Sequence, residues 1–203
     1  EALSDVTTML KKSHTIFEES VKTVFKRRKS SFEFYTFDKE INKLEVEVRT
    51  KILEHLAVDP GQDTSASLVL MTIIIDIERI GDYSKNIYEL YDRYINKKPV
   101  TIHTSLEKIA GELLEAFGKS VANYSEADEK DAKKLLAFLN STRKECDDFI
   151  YEELPNYDEG AHSCIFNTLF ARYLKRVSCH LYNIISSITN PYNQIGFYSK
   201  EDS

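Results

Sequence analysis

The chain has 203 residues, 42% of them hydrophobic, 11% aromatic and 30% charged, which is enough apolar material for a packed core and too much for wholesale disorder. With 27 basic against 33 acidic residues and a net charge of −6, it lacks the cationic surplus through which a general nucleic-acid binder neutralises phosphates. Only 6 Gly and 4 Pro speak against a strand-and-turn architecture, whose turns consume both.

Apolar residues recur at helical spacing almost throughout, so the expected fold class is all-α. A first helix is predicted from Leu3 to Arg28 on Val6, Met9, Leu10, Ile16, Phe17, Val21 and Phe25. It closes on the basic run Lys26-Arg27-Arg28-Lys29, which suits the negative end of a helix dipole or, alternatively, an acidic partner or membrane surface. A second helix runs from Phe37 to Leu56 and is broken by Asp59-Pro60-Gly61. A third runs from Asp63, a plausible N-cap, to Ile95 before Lys97-Lys98-Pro99 interrupts it.

The arrangement then begins again. Helices are predicted from Thr104 (read as an N-cap) to Tyr124, from Glu129 to Leu154 before Pro155, and from Ser163 to Ile188 before Asn190-Pro191. The tail from Tyr192 to Ser203 has no helical period. Laid over one another at an offset of 97, Asp76–Ile87 and Tyr173–Ile184 place Arg79 on Arg176, Asn86 on Asn183 and Ile87 on Ile184. At an offset of 105, Asp38, Ile41, Asn42 and Leu44 fall on Arg143, Cys146, Asp147 and Phe149. The expected architecture is therefore two tandem three-helix bundles, residues 1–98 and 99–203, the second a degenerate copy.

The three cysteines (Cys146, Cys164, Cys179) form no CxxC pair and read as free thiols in a reducing compartment. The longest apolar stretch, Leu68–Ile75, spans about 12 Å as a helix against a hydrocarbon core of ~30 Å, so no membrane span is expected.

The segment Asp76–Ile87 carries the chemistry. Ile73, Ile77, Ile80, Ser84, Ile87 and Tyr91 share one helix face and read as core. Glu78, Asp82 and Glu89 lie almost opposite, with the Glu78 and Asp82 carboxylates neighbours at i, i+4. Asp76 and Arg79 are spaced to pair at i, i+3, and Asp38, Asn42, Glu45 and Arg49 form a matching stripe on the second helix. If the two helices pack side by side, oxygens of Asp38 and Asn42 face those of Glu78 and Asp82. Such oxygens suit hard or borderline cations, and a solvated acidic stripe is the alternative.

The run Asp76-Ile-Glu-Arg-Ile-Gly-Asp-Tyr-Ser-Lys-Asn-Ile87 resembles the signature of PhoU proteins, in which Asp-x-Glu-Arg-Ile-Gly-Asp ends in Asn-Ile. Asp38-Lys-Glu-Ile-Asn-Lys-Leu-Glu45 is similar to that family's middle-helix pattern, and Asp63 stands where the family opens its third helix. The resemblance implies two three-helix bundles and iron- or zinc-type clusters at acidic x-x-x-Asp motifs. It also implies a non-enzymatic role restraining phosphate uptake, peripheral to the inner face of the membrane, through a membrane transporter or sensor kinase. The metal-loaded acidic face or the groove between bundles would present the contact surface. Carried over by position, the metal ligands are Asp38, Asn42 (where an Asp is usual), Glu78 and Asp82. Arg143, Lys175 and Cys179 stand where the second repeat should carry carboxylates, and only Asp147 remains. The expectation is therefore one site at most, for iron, zinc or another divalent cation.

Other signals are set aside. Gly118-Lys119-Ser120 has the ending of a phosphate loop but falls mid-helix with Gly111 misplaced. Glu159-Gly-Ala-His162 has the spacing of a di-iron motif but reads as loop, and one copy is too few. His162-x-Cys164 and Cys179-His180 lack a zinc site's ligand count. Met71, Ile74 and Ile75, off the core face, point to a dimer or partner interface. Two rival functions remain. One is the detached cytosolic PhoU-like domain of a sodium–phosphate cotransporter or ion-transport protein, favoured by the missing Met and the helical start at Glu1. The other is a metal-dependent hydrolase on Glu78/Asp82, for which no base can be named.

Overall fold

A computed structural model describes residues 2–58 and 64–197. Among the described residues there are six α-helices: α1 (Ala2–Lys26), α2 (Phe34–Val58), α3 (Thr64–Leu90), α4 (Thr104–Glu126), α5 (Glu129–Asp148) and α6 (Gly160–Thr189). There is no strand among the described residues. The all-α fold is as expected, and Asp63 lies outside the described residues.

The helix ends follow local chemistry. Helix α4 begins where His103 Nδ1 accepts a hydrogen bond from Ser105 N–H at 3.2 Å, so the cap is His103 rather than the expected Thr104. Asp128 caps α5 by accepting from the N–H groups of Lys130 (2.8 Å) and Asp131 (3.0 Å), the usual service of an Asp at that position. Pro155 has no N–H to continue the ladder. The chain loosens ahead of it into a π-helical turn (Phe149–Glu153) and a 3-10 turn (Leu154–Asn156). Helix α6 begins at Gly160, whose φ of +76° only glycine adopts cheaply. That places His162 inside the first turn instead of in a loop. Helix α1 stops at Lys26 and Arg27 turns left-handed (φ 52°). Of the basic run, Lys26 lies in the last helical turn, and Arg27, Arg28 and Lys29 follow it directly.

Helices α1, α2 and α3 pack on one another, as do α4, α5 and α6. The two sets meet where α1 lies against α4 and α3 against α6. Phe17 and Phe117 (centroids 5.8 Å apart) fill the α1–α4 seam, with the His14 ring edge-on to Phe117 at 5.1 Å. Small residues let the helices close up. Ser13 Oγ donates to the Ile77 carbonyl across α1–α3 (3.1 Å), and Ser178 Oγ to that of Leu139 across α5–α6 (2.8 Å). At Gly81 a Cβ would sit 3.2 Å from Ile41 Cδ1, so the glycine sets the α2–α3 approach.

The predicted core face (Ile73, Ile77, Ile80, Ser84 and Ile87 of α3, and Tyr91 in the π-helical turn that follows it) is buried throughout. Because α3 is contacted by α1, α2 and α6, the apolar residues off that face also find partners within the chain. Ile74 is fully buried and Met71 packs against the core, leaving Ile75 exposed. Of the three residues read as a dimer or partner interface, this corrects Ile74, which the core takes up because a central helix needs apolar residues all round.

Candidate functional site

The acidic positions of α2 and α3 lie along the seam between these helices. Asp38, near the start of α2, is buried, at 7% exposure. Its Oδ2 accepts from Lys85 Nζ at 2.8 Å, and the same ammonium donates to Asp82 Oδ1 at 3.1 Å. Asp82 is also reached by Arg79 Nη1 at 3.2 Å, and Glu78 lies 3.6 Å from Arg79 Nε. Glu45 pairs with Arg49 at 2.6 Å. Asp38 and Asp82 are thus brought together as expected, but around a lysine that the sequence reading had not assigned.

The electrostatics follow. Burial opposes the charge of Lys85, yet its hydrogen bonds to Asp38 and Asp82 hold its pKa above the ordinary lysine value. Glu78 has no such partner. Burial first, then the neighbouring Asp82, push its carboxyl up to about 7 from 4.5, with Glu45 and Asp38 adding to the rise and Arg79 opposing it. Asn42, the fourth predicted ligand, keeps its Oδ1 buried with no hydrogen-bond partner.

The second repeat carries the equivalent contacts with the chemistry exchanged. Asp147 and Lys175, at the positions of Asn42 and Glu78, form an ion pair at 2.6 Å. Arg143 and Tyr182, at the positions of Asp38 and Lys85, meet as a cation over a ring at 5.9 Å. Cys146 is fully buried at the position of Ile41, itself fully buried. The Asp38–Lys85 contact thus has a positional counterpart in Arg143–Tyr182, whereas the Asp147–Lys175 pair has none between Asn42 and Glu78.

Asp76 does not pair with Arg79. It turns toward α6, where its Oδ1 meets His180 Nδ1 at 2.7 Å and accepts from Asn183 Nδ2 at 2.9 Å. The Tyr83 ring stacks on His180 at 5.6 Å. Asp76 therefore joins the two halves. The single-helix spacing rule missed this because the partners stand more than a hundred residues away.

With this geometry in place, residues 6–91 match the family model of the PhoU domain. Its first three helices are thus similar to the PhoU domain. The match contains both α2 and the Asp-x-Glu-Arg-Ile-Gly-Asp run of α3. In three dimensions the chain is similar to the crystal structure of the phosphate transport system regulatory protein PhoU from Streptococcus pneumoniae. The TM-score is 0.79, over 93% of this chain and 92% of that one, at 14% identity. At that identity the likeness establishes the fold. Among curated proteins nothing matches.

PhoU resemblance implies a metal at the acidic positions, and the residues can be tested for it. No three His, Cys, Asp or Glu side chains converge on a metal-sized point among the described residues. Asp38 and Asp82 are already bridged by an ammonium, and Asn42 brings no charge. A divalent ion between α2 and α3 would have to displace Lys85. The orphaned Asn42 oxygen and Glu78, whose nearest cation is Arg79 at 3.6 Å, lie in the same seam, yet one neutral oxygen and one carboxylate fall short of a full ligand set. As arranged, the PhoU-type donor set fits an ammonium and does not fit a metal cluster.

Proposed function

We propose that the chain is a non-enzymatic regulator of phosphate uptake, acting by docking on a membrane phosphate transporter or its sensor kinase. What carries this reading is the end-to-end likeness in fold to a phosphate transport regulatory protein, with the PhoU domain match spanning α1, α2 and α3. No helix among the described residues is long and apolar enough to cross a membrane. In this reading the chain reaches the membrane through a partner.

The outer faces of α2 and α3 suit that contact. Helix α2 exposes Val46 (60%) and Leu53 (61%), and α3 exposes Leu68 and Ile75. Both pairs are spaced i, i+7, so each shares one face of its helix. Isolated exposed apolar residues are ordinary, but two aligned pairs on adjacent helices beside a charged seam have the make-up of an interface core with a polar rim. Sedimentation with membrane vesicles that contain or lack the phosphate transporter tests the reading. The chain should pellet only with the former, and Val46→Asp/Leu53→Asp should stay soluble while keeping its helical circular dichroism. Equal sedimentation with both vesicle types would refute transporter docking.

A further inference from the structure

We propose that Lys85 is the resident cation of the first-repeat acidic site, a built-in ammonium standing where a metal ion would bridge α2 and α3, and that the chain is therefore metal-independent. The Lys85 side chain is 20% exposed and that of Asp38 10%. Its amino group holds one carboxylate from each helix, at 2.8 and 3.1 Å, which is the bridging task a dication performs. The other carboxylates on this seam lie beside arginines of their own helix: Glu45 beside Arg49, and Glu78 beside Arg79, which also reaches Asp82.

The second repeat makes the same substitution by a different route. There the cation is Lys175, at the position of Glu78, and its carboxylate is Asp147, at the position of Asn42. The two lysines thus occupy different positions in the repeat, 85 and 175, yet each joins the third helix of its bundle to the second. Each half thus carries its own ammonium at the crossing of its second and third helices. An ammonium tethered to α3 also excludes a dication, by occupying the oxygens and by like charge.

The inference goes beyond the docking role and does not depend on it. Its test is elemental analysis of the wild-type chain, purified without chelator from cells grown with added iron, zinc and manganese. The expected result is far less than one equivalent of any metal, with a melting temperature that neither EDTA nor added Mn²⁺ moves. Lys85→Met, or Lys85→Gln if the first does not fold, should bind Mn²⁺ or Zn²⁺ at least tenfold more tightly than wild type by calorimetry. A full equivalent of metal in the wild type, lost in Glu78→Ala/Asp82→Ala, would overturn the proposal. So would a folded Lys85 variant that binds no more tightly than wild type.

Discussion

Replacing Lys85 by Met keeps the aliphatic stem and removes the charge. Asp38 would then be a buried carboxylate without a counter-ion, facing Asp82 across the space the ammonium had filled. Breaking a fully buried pair costs about 3–5 kcal/mol, because the remaining charge stays desolvated. Side-chain exposures of 10% at Asp38 and 30% at Asp82 admit some water, which lowers the expected loss to about 2–3 kcal/mol. For a chain of this length each kcal/mol is worth about 2–4 °C, so the melting temperature should fall by roughly 4–12 °C. Thermal unfolding followed by circular dichroism measures it. Adding Asp38→Asn to Lys85→Met should recover part of the loss, since the stranded charge goes with it; the difference from additivity gives the coupling. A Lys85→Met melting temperature within a degree of wild type would refute the bridging role.

Three further outcomes follow from neighbouring contacts. The pKa of Glu78 is raised from 4.5 to about 7 in the folded state, so its contribution to stability is complete below the unfolded value and is lost as pH rises through 7. Urea titrations at pH 5 and 8 should show Glu78→Gln flattening that decline by about 1–2 kcal/mol, allowing for solvent screening; identical pH slopes would count against it. Asp76→Ala should cost about 2–3 kcal/mol in urea unfolding by stranding His180 and Asn183 at the α3–α6 junction; a loss under half a kcal/mol would show that the junction does not depend on it. Lys175→Met, whose partner Asp147 is 35% exposed, should cost less than Lys85→Met, about 1 kcal/mol, and the reverse order would contradict the burial argument.

Much of this was legible in the sequence because helical periodicity is a local signal. Ile73, Ile77, Ile80 and Ile87 announce their face without reference to the rest of the chain. The repeat offsets derived from Arg79/Arg176 and Ile41/Cys146 put Asp147 and Lys175 at the positions of Asn42 and Glu78, but that the two would pair was not read from them. What escaped was set by packing between elements. Lys85 stands at i+3 from Asp82 and i+7 from Glu78, a spacing that could have placed it on the acidic seam. Only the α2–α3 crossing at Gly81, however, brings Asp38 to it. Asp76 was assigned to Arg79 by proximity along one helix, while its partners come from α6. Ile74 looked like a partner surface because the number of helices touching α3 cannot be read from α3 alone.

The regulatory reading is tested most directly by phosphate uptake in cells. Uptake of radiolabelled phosphate should be measured after deletion of the coding segment and after its re-expression, at low and at high external phosphate. The account predicts that cells without the segment keep importing when phosphate is plentiful, and that residues 1–203 restore the restraint. Uptake that falls normally at high phosphate with or without the segment would contradict it.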